Sequence, residues 1–240
     1  MNITIKRFDR YKQPQHIEMA YKIETEGLTL LQALQRIKST IDPTLTFKSG
    51  CKSGICGTCG VRVNGKEQLA CDYKVQAGDV IEALNYHTLK RDLVVDKSHS
   101  LDSLTRAKAY LGSYQKANIT IDEEKRIELQ SDCILCSSCF SACPVMAVNS
   151  DFLGPFALTR VYRYSVDKRE ANPKEAIDAI QKNGVWDCTL CGECTVACPQ
   201  GINPKMDILH LRSVSAQYGY NDPNFATMSF GVDFGNGFGF

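Results

Sequence analysis

The chain has 240 residues, room for two domains of ordinary size with separate cores. Its 28 Lys+Arg against 27 Asp+Glu leave a formal charge of +1, so charge supplies no reason to expect nucleic acid or an anionic membrane surface as a partner. The opening MNITIKRFDR lacks the basic-then-apolar pattern of a secretory signal, and no run approaches the ~20 apolar residues that cross a bilayer, so a soluble chain is expected.

In chain order, NITI and HIEMAYKI alternate apolar and polar residues (Ile3, Ile5; Ile17, Met19, Tyr21, Ile23), which predicts two half-buried strands pairing as a hairpin. Thr29 is a fitting N-cap for a helix carrying Leu30, Leu34, Ile37 and Ile41, stopped by Asp42-Pro43. The glycine-rich run GCKSGICGTCG follows, then short strand candidates at GVRV, EQLAC and DVIEAL. After Leu84 strand signals are few. Leu104, Ala107, Leu111 and Tyr114 mark one helical face, and GPFALTRVYRYSV, NPKEAIDAIQKN and PKMDILHLRSV are further helical candidates. From about Gln217 a tail of Gly, Phe and small polar residues has neither period, and it reads either as disordered until bound or as an ordered strap on a partner.

Cysteine is the informative residue. Twelve occur in three groups of four, spanning 51 to 71, 133 to 143 and 188 to 198. Close C-x2-C spacing without a signal peptide points to thiolates kept for metal rather than to a disulfide framework. Structural zinc ordinarily takes two ligand pairs separated by a longer loop. Here Cys133, Cys136, Cys139 and Cys143 run C-x2-C-x2-C-x3-C-P, and Cys188, Cys191, Cys194 and Cys198 repeat the run, each followed by proline (Pro144, Pro199). That repeat is the two-cluster ferredoxin pattern, in which the fourth cysteine of each run ligates the other cluster. It assigns Cys133, Cys136, Cys139 and Cys198 to one [4Fe-4S] cluster, and Cys188, Cys191, Cys194 and Cys143 to a second.

Cys51, Cys56 and Cys59 give C-x4-C-x2-C, with Cys71 downstream, the plant-type [2Fe-2S] pattern. A loop wrapped round two irons needs positive φ and close backbone N–H groups, which the glycines at 50, 54, 57 and 60 permit. A Rieske centre would need two histidine ligands, but His16, His87, His99 and His210 lie outside the cysteine loops and read as ordinary surface or core residues. The expected fold is α+β. Residues 1–97 form a β-grasp plant-type ferredoxin domain, 98–216 an all-α domain of the bacterial 2[4Fe-4S] ferredoxin type, and 217–240 the Gly/Phe-rich tail.

This order of motifs is similar to that of the iron-sulfur subunit of succinate dehydrogenase and fumarate reductase over roughly residues 1 to 215. RDLVVD (91–96) and DFLGPFALTRVYRYSVDKR (151–169) also resemble segments of that family. The resemblance implies an electron-transfer subunit docked between a FAD-containing dehydrogenase/reductase subunit and a membrane-side quinone partner, with no substrate site on this chain. The dense glycine run GNGFGF is terminal and precedes no helix that could receive a phosphate. Most quinone-linked members resemble C-x5-C-x3-C-P in the last run and hold a [3Fe-4S] centre there. This chain adds Cys191, which completes a four-thiolate site, the other reading being a spare buried thiol beside a three-iron centre. It also has VMAVN (145–149) where such members carry tryptophan, and Thr189 where they often carry histidine. These departures point to the variant complexes whose anchor is a cysteine-rich subunit resembling part of heterodisulfide reductase. Trp186 reads as packing beside the last cluster. The expected setting is the cytoplasmic face of a membrane, reached through partner subunits, although a folded subunit can also be exported with a signal-bearing partner. A thiol-linked fumarate reductase, a free-standing carrier and a structural zinc module are the alternatives.

Overall fold

The computed structural model describes residues 1–24 and 27–223; the remainder of the tail, 224–240, lies outside the described residues together with the expectations placed on it. β1 (Asn2–Phe8) and β2 (His16–Lys22) pair antiparallel from Asn2↔Lys22 to Phe8↔His16. In β1 the alternation turns Ile3, Ile5 and Arg7 inward. β2 keeps the rule only at its inner end: Tyr21 and Ile23 are buried, while Ile17 is exposed where the hairpin runs past the core.

α1 (Leu30–Thr40) starts at Thr29, whose side chain accepts from Gln32 N while the Gln32 side chain accepts from Thr29 N, a reciprocal cap. Leu30, Leu34 and Ile37 are buried, and Ile41 closes the helix as an exposed C-cap. β3 (Gly60–Val63), β4 (Lys66–Leu69) and β5 (Val80–Glu82) complete a five-stranded sheet in the order β2-β1-β5-β3-β4, with β1 and β5 parallel. One core joins the sheet, α1 and the cysteine loop.

Strands do not cease after Leu84: β6 (Thr88–Arg91) and β7 (Val94–Asp96) form a hairpin across Asp92, which has φ +45°. The Asp92 carboxylate pairs with Arg7 at 2.7 Å in the interior while Leu93 and Val95 are buried beside it, so this hairpin docks through a distant charge pair as well as through apolar side chains. The helix expected through Leu104, Ala107, Leu111 and Tyr114 is shorter. α2 (Ser98–Arg106) ends at Ala107, Lys108 turns to φ +50°, and Leu111 and Tyr114 are exposed in an extended connection. Ser113 and Tyr114 instead meet residues 170–171, where the Glu170 carboxylate accepts from Gly112 N and Ser113 N.

The helical half continues with α3 (Ile121–Ser131), α4 (Ser138–Ser141), α5 (Val145–Val148), α6 (Pro155–Ser165), α7 (Lys174–Ala179), α8 (Glu193–Val196) and α9 (Pro204–Gln217). α6 sits centrally, packed on α3, α4, α7 and α9, and a second core gathers Phe140, Phe152, Leu158, Val161, Ile177, Ile208 and Leu211. α3 carries a second reciprocal cap, Thr120 with Glu123, a signal present in the sequence but unused above. Among the described residues no helix is long and apolar enough to cross a membrane.

Candidate iron-sulfur centres

The loop before β3 is built by backbone conformations that side chains resist. Lys52, Gly54 and Gly57 all have positive φ, and the turn they make aims N–H groups at sulfur. Cys51 N lies 3.4 Å from Cys56 Sγ, Cys56 N lies 3.3 Å from Cys51 Sγ, and Gly54 N lies 3.3 Å from Cys71 Sγ. Cys51 and Cys56 are exposed at the tip, while Cys59 and Cys71 are buried against the sheet core. The four candidate ligands therefore come to one loop, two facing outward and two inward.

The two later runs are backbone repeats of each other. Leu135 and Ser137 take φ +51° and +70°; Leu190 and Gly192, at the same offsets from Cys188, take +56° and +91°. A four-residue helix follows at the same offset in each run, α4 and α8, and these pack together. A leucine with positive φ is uncommon outside functional loops, and its occurrence twice in register marks a shared wrapping geometry. Leu190 N points at Cys188 Sγ at 3.4 Å.

The packing of α4 on α8 also crosses the runs. The thiol of Cys198 lies within electrostatic reach of Cys133, Cys136 and Cys139, and that of Cys143 within reach of Cys188, Cys191 and Cys194. Cys139 and Cys194 are both buried and within electrostatic reach of each other, whereas Cys191 is exposed. Among the described residues no three His, Cys, Asp or Glu side chains converge on one point as the ligands of a single ion do. Thiolates of a multi-iron cluster bind different irons and stand further apart.

The donor chemistry fits such groups. Burial pushes the Cys59 thiol up to about 11, Cys194 up to about 12 and Cys139 well above its ordinary value. Neutral thiols are therefore favoured until a metal takes the proton's place. Exposed Cys51 behaves oppositely: the backbone N–H of Ser53, then the Ser53 side chain, pulls it down to about 6. The surroundings are dry on the inner side, where Phe140, Val145, Met146 and Phe156 are buried and Leu135 and Leu190 pack against them.

Contacts between residues distant in sequence bring the cysteine loops together. A β-carbon added to Gly57 would lie 2.8 Å from the Cα and Cβ of Cys136, so the first loop and the second touch directly. Gln200 Nε2 donates to Gly54 O at 3.2 Å, and Ser141 Oγ accepts from Asn85 N and donates to Glu67 Oε1. Lys97 Nζ donates to Cys136 O at 2.6 Å and approaches Gly57 O at 3.4 Å. No motif announces Gln200, Ser141 or Lys97; each is a lone polar side chain whose partner is far away in sequence. On the far side, Trp186 is half-buried, donates Nε1–H to Gln181 Oε1 and lies under the Arg212 guanidinium. Arg212 donates to Val185 O and Cys188 O, bracing the entry to the last run. His87 stacks on Phe140, the residue after Cys139, and neither ring nitrogen has a partner among the described residues.

A mixed sheet with a sulfur-wrapping loop, joined to helices that enclose two crossed cysteine runs, defines an iron-sulfur electron-transfer protein with a ferredoxin-like domain and a dicluster domain. Family models agree: one described as "2Fe-2S iron-sulfur cluster binding domain" matches residues 2–102, and one described as "4Fe-4S dicluster domain" matches residues 129–202. The 8-methylmenaquinol:fumarate reductase iron-sulfur subunit of Wolinella succinogenes is 36% identical, over 92% of this chain and 74% of that one. The fumarate reductase iron-sulfur subunit of Haemophilus influenzae is 34% identical (87% and 90% covered), and the succinate dehydrogenase iron-sulfur subunit of Paracoccus denitrificans 32% (87% and 87%). A chain of the Mycobacterium smegmatis Sdh1 complex superposes with a TM-score of 0.79 at 20% identity, covering 92% of this chain and 98% of that one, and shares the fold. The chain belongs to the family of iron-sulfur subunits of fumarate reductases and succinate dehydrogenases. It carries a [2Fe-2S] cluster and two further iron-sulfur clusters as cofactors.

Proposed function

We propose that this chain links a FAD-containing subunit to a membrane-side quinone partner in a succinate:quinone or quinol:fumarate oxidoreductase, through three sites in series whose last member is a fully ligated [4Fe-4S] site. Bound clusters supply one-electron redox chemistry, which no side chain of the protein offers alone. Cys51, Cys56, Cys59 and Cys71 would hold the [2Fe-2S] cluster, Cys133, Cys136, Cys139 and Cys198 the first cubane, and Cys143, Cys188, Cys191 and Cys194 the second. Backbone N–H groups at Cys51, Gly54, Cys56 and Leu190 offset negative charge on sulfur, and the buried apolar side chains on the inner side exclude water.

The observation that carries the four-thiolate reading is the backbone repeat. The segment around Cys191 has the left-handed pair and following helix found around Cys136, so Cys191 occupies the register of a ligand. The order of the sites is supported by the contacts of Gly57 and Gln200, which bring the [2Fe-2S] loop to Cys136 and to the residues just after Cys198. The exposed tip with Cys51 and Cys56 suits docking to the flavoprotein, and the Cys191 side suits the anchor, a quinone-linked or heterodisulfide-reductase-like subunit. Membrane association, at the cytoplasmic face or after export with a partner, would come from those subunits. The junction near residues 97/98 is supported by the two cores, which share no residue; from the helical half only Cys136 and Ile134 pack on the first. The relatives favour this reading over a thiol-linked or free-standing carrier.

The test is iron analysis with low-temperature EPR on the purified complex and its Cys191→Ala variant. About ten irons per chain, from the sum of the three ligand sets, and conversion or loss of the last cluster alone in the variant are expected. A three-iron signal in the unaltered protein, unchanged by the substitution, would overturn the four-thiolate assignment.

A further inference from the structure

The contact between the two domains contains a cation with no anion. Lys97 is the N-cap of α2, and its carbonyl accepts from Leu101 N and Ser100 Oγ, which fixes its backbone. Its side chain leaves the helix and ends between two cysteine loops, donating to Cys136 O and approaching Gly57 O. Among the described residues Lys97 makes no ion pair; the adjacent carboxylate, Asp96, is paired with Lys90 and accepts from Ser98 N. The other cation in electrostatic reach, Lys48, donates to Val95 O. The thiols that feel Lys97 are Cys136, Cys59 and Cys56, drawn from both loops. Desolvating an ammonium against two carbonyls costs stability unless nearby negative charge offsets it.

We propose that Lys97 is a positioning residue for electron transfer: its ammonium clamps the loop of Cys56 and Cys59 to that of Cys136 and sets an unneutralised positive charge between the first two iron-sulfur sites. Two consequences follow. The clamp keeps the Gly57–Cys136 contact closed, which holds the two sites at one separation. The charge stabilises whichever of the two sites carries the extra electron, so it raises both reduction potentials and leaves the third, on the far side of Cys139, nearly untouched.

The proposal rests on the ligand assignment given above, and the experiment separates the two. Iron content and EPR line shapes of the purified complex identify the clusters independently of Lys97. Redox titrations followed by EPR are then compared for the unaltered protein, Lys97→Met and Lys97→Arg. Lys97→Met is expected to lower the midpoints of the [2Fe-2S] cluster and the first cubane, so that their reduced fraction falls several-fold at a fixed ambient potential, with the last cluster unmoved. Lys97→Arg, which keeps charge and donors, is expected to restore both midpoints. Unmoved midpoints in Lys97→Met with full iron content would overturn the proposal, as would an equal shift of all three clusters. Iron loss in Lys97→Met that Lys97→Arg does not reverse would overturn it too.

Discussion

Gly57 shows at the scale of one residue how a sequence feature acquires its reason. Positive φ alone would make alanine there cost about 1–2 kcal/mol. Gly54 shares that conformation (+76°) but has open space where a β-carbon would go, whereas at Gly57 the β-carbon would strike Cys136 and Ile134 O. Gly57→Ala is thus expected to lower the thermal midpoint more than Gly54→Ala and to perturb the EPR of both neighbouring clusters; equal effects in the two variants would contradict the contact. His87 makes a second case. Burial, then the charge of Lys97, lowers its pKa from 6.5 to about 4. Between those values the unfolded chain binds more protons than the folded one, so the stability that neutral His87 contributes is full above about pH 6.5 and declines as pH falls towards 4. His87→Phe, which preserves the stack on Phe140, should flatten that decline, as measured by unfolding at pH 7.5 and 5.0.

Among the elements, those with self-contained signals were legible and those held by distant partners were not. The β1–β2 hairpin, α1, α6 and α9 follow from period and cap. The β6–β7 hairpin does not, because Arg7 of β1, Asp42 after α1 and Asp92 of the hairpin meet in one buried cluster joined also by Tyr21 and Thr44. Removing the cation by Arg7→Met leaves two carboxylates poorly partnered, and a loss of about 3–5 kcal/mol is expected in denaturant titrations. A change below 1 kcal/mol would mean the carboxylates find water instead. At α3 the reciprocal Thr120–Glu123 cap predicts that Thr120→Ala costs about 1 kcal/mol, or about 2–4 °C in thermal midpoint.

For the molecule as a whole, the crossing of the two cysteine runs ties together segments about sixty residues apart. Cys198→Ser is therefore expected to damage the first cubane although Cys198 belongs to the last run, and Cys143→Ser the second. EPR loss confined to the cluster of the same run would contradict the crossing. The stitches of Gln200, Ser141 and Lys97 make the two cores one body, so changes at the helical end, such as Gln200→Ala, are expected to alter the EPR of the [2Fe-2S] cluster without altering its iron count.

Which atoms are available as ligands, and how they are spaced, can be read from the chain alone, because metal-binding loops are local: C-x4-C-x2-C and C-x2-C-x2-C constrain a few consecutive dihedrals. So can the two helix caps and the alternation of β1, which depend on residues within a turn of one another. It takes the folded chain to show that the Cys191 segment has the same backbone shape as the Cys136 segment, that Gly57 rests on Cys136, and that Lys97 lies between them. Those are contacts of high sequence separation, made by single polar or glycine residues whose own neighbours carry no period, and packing alone brings them together.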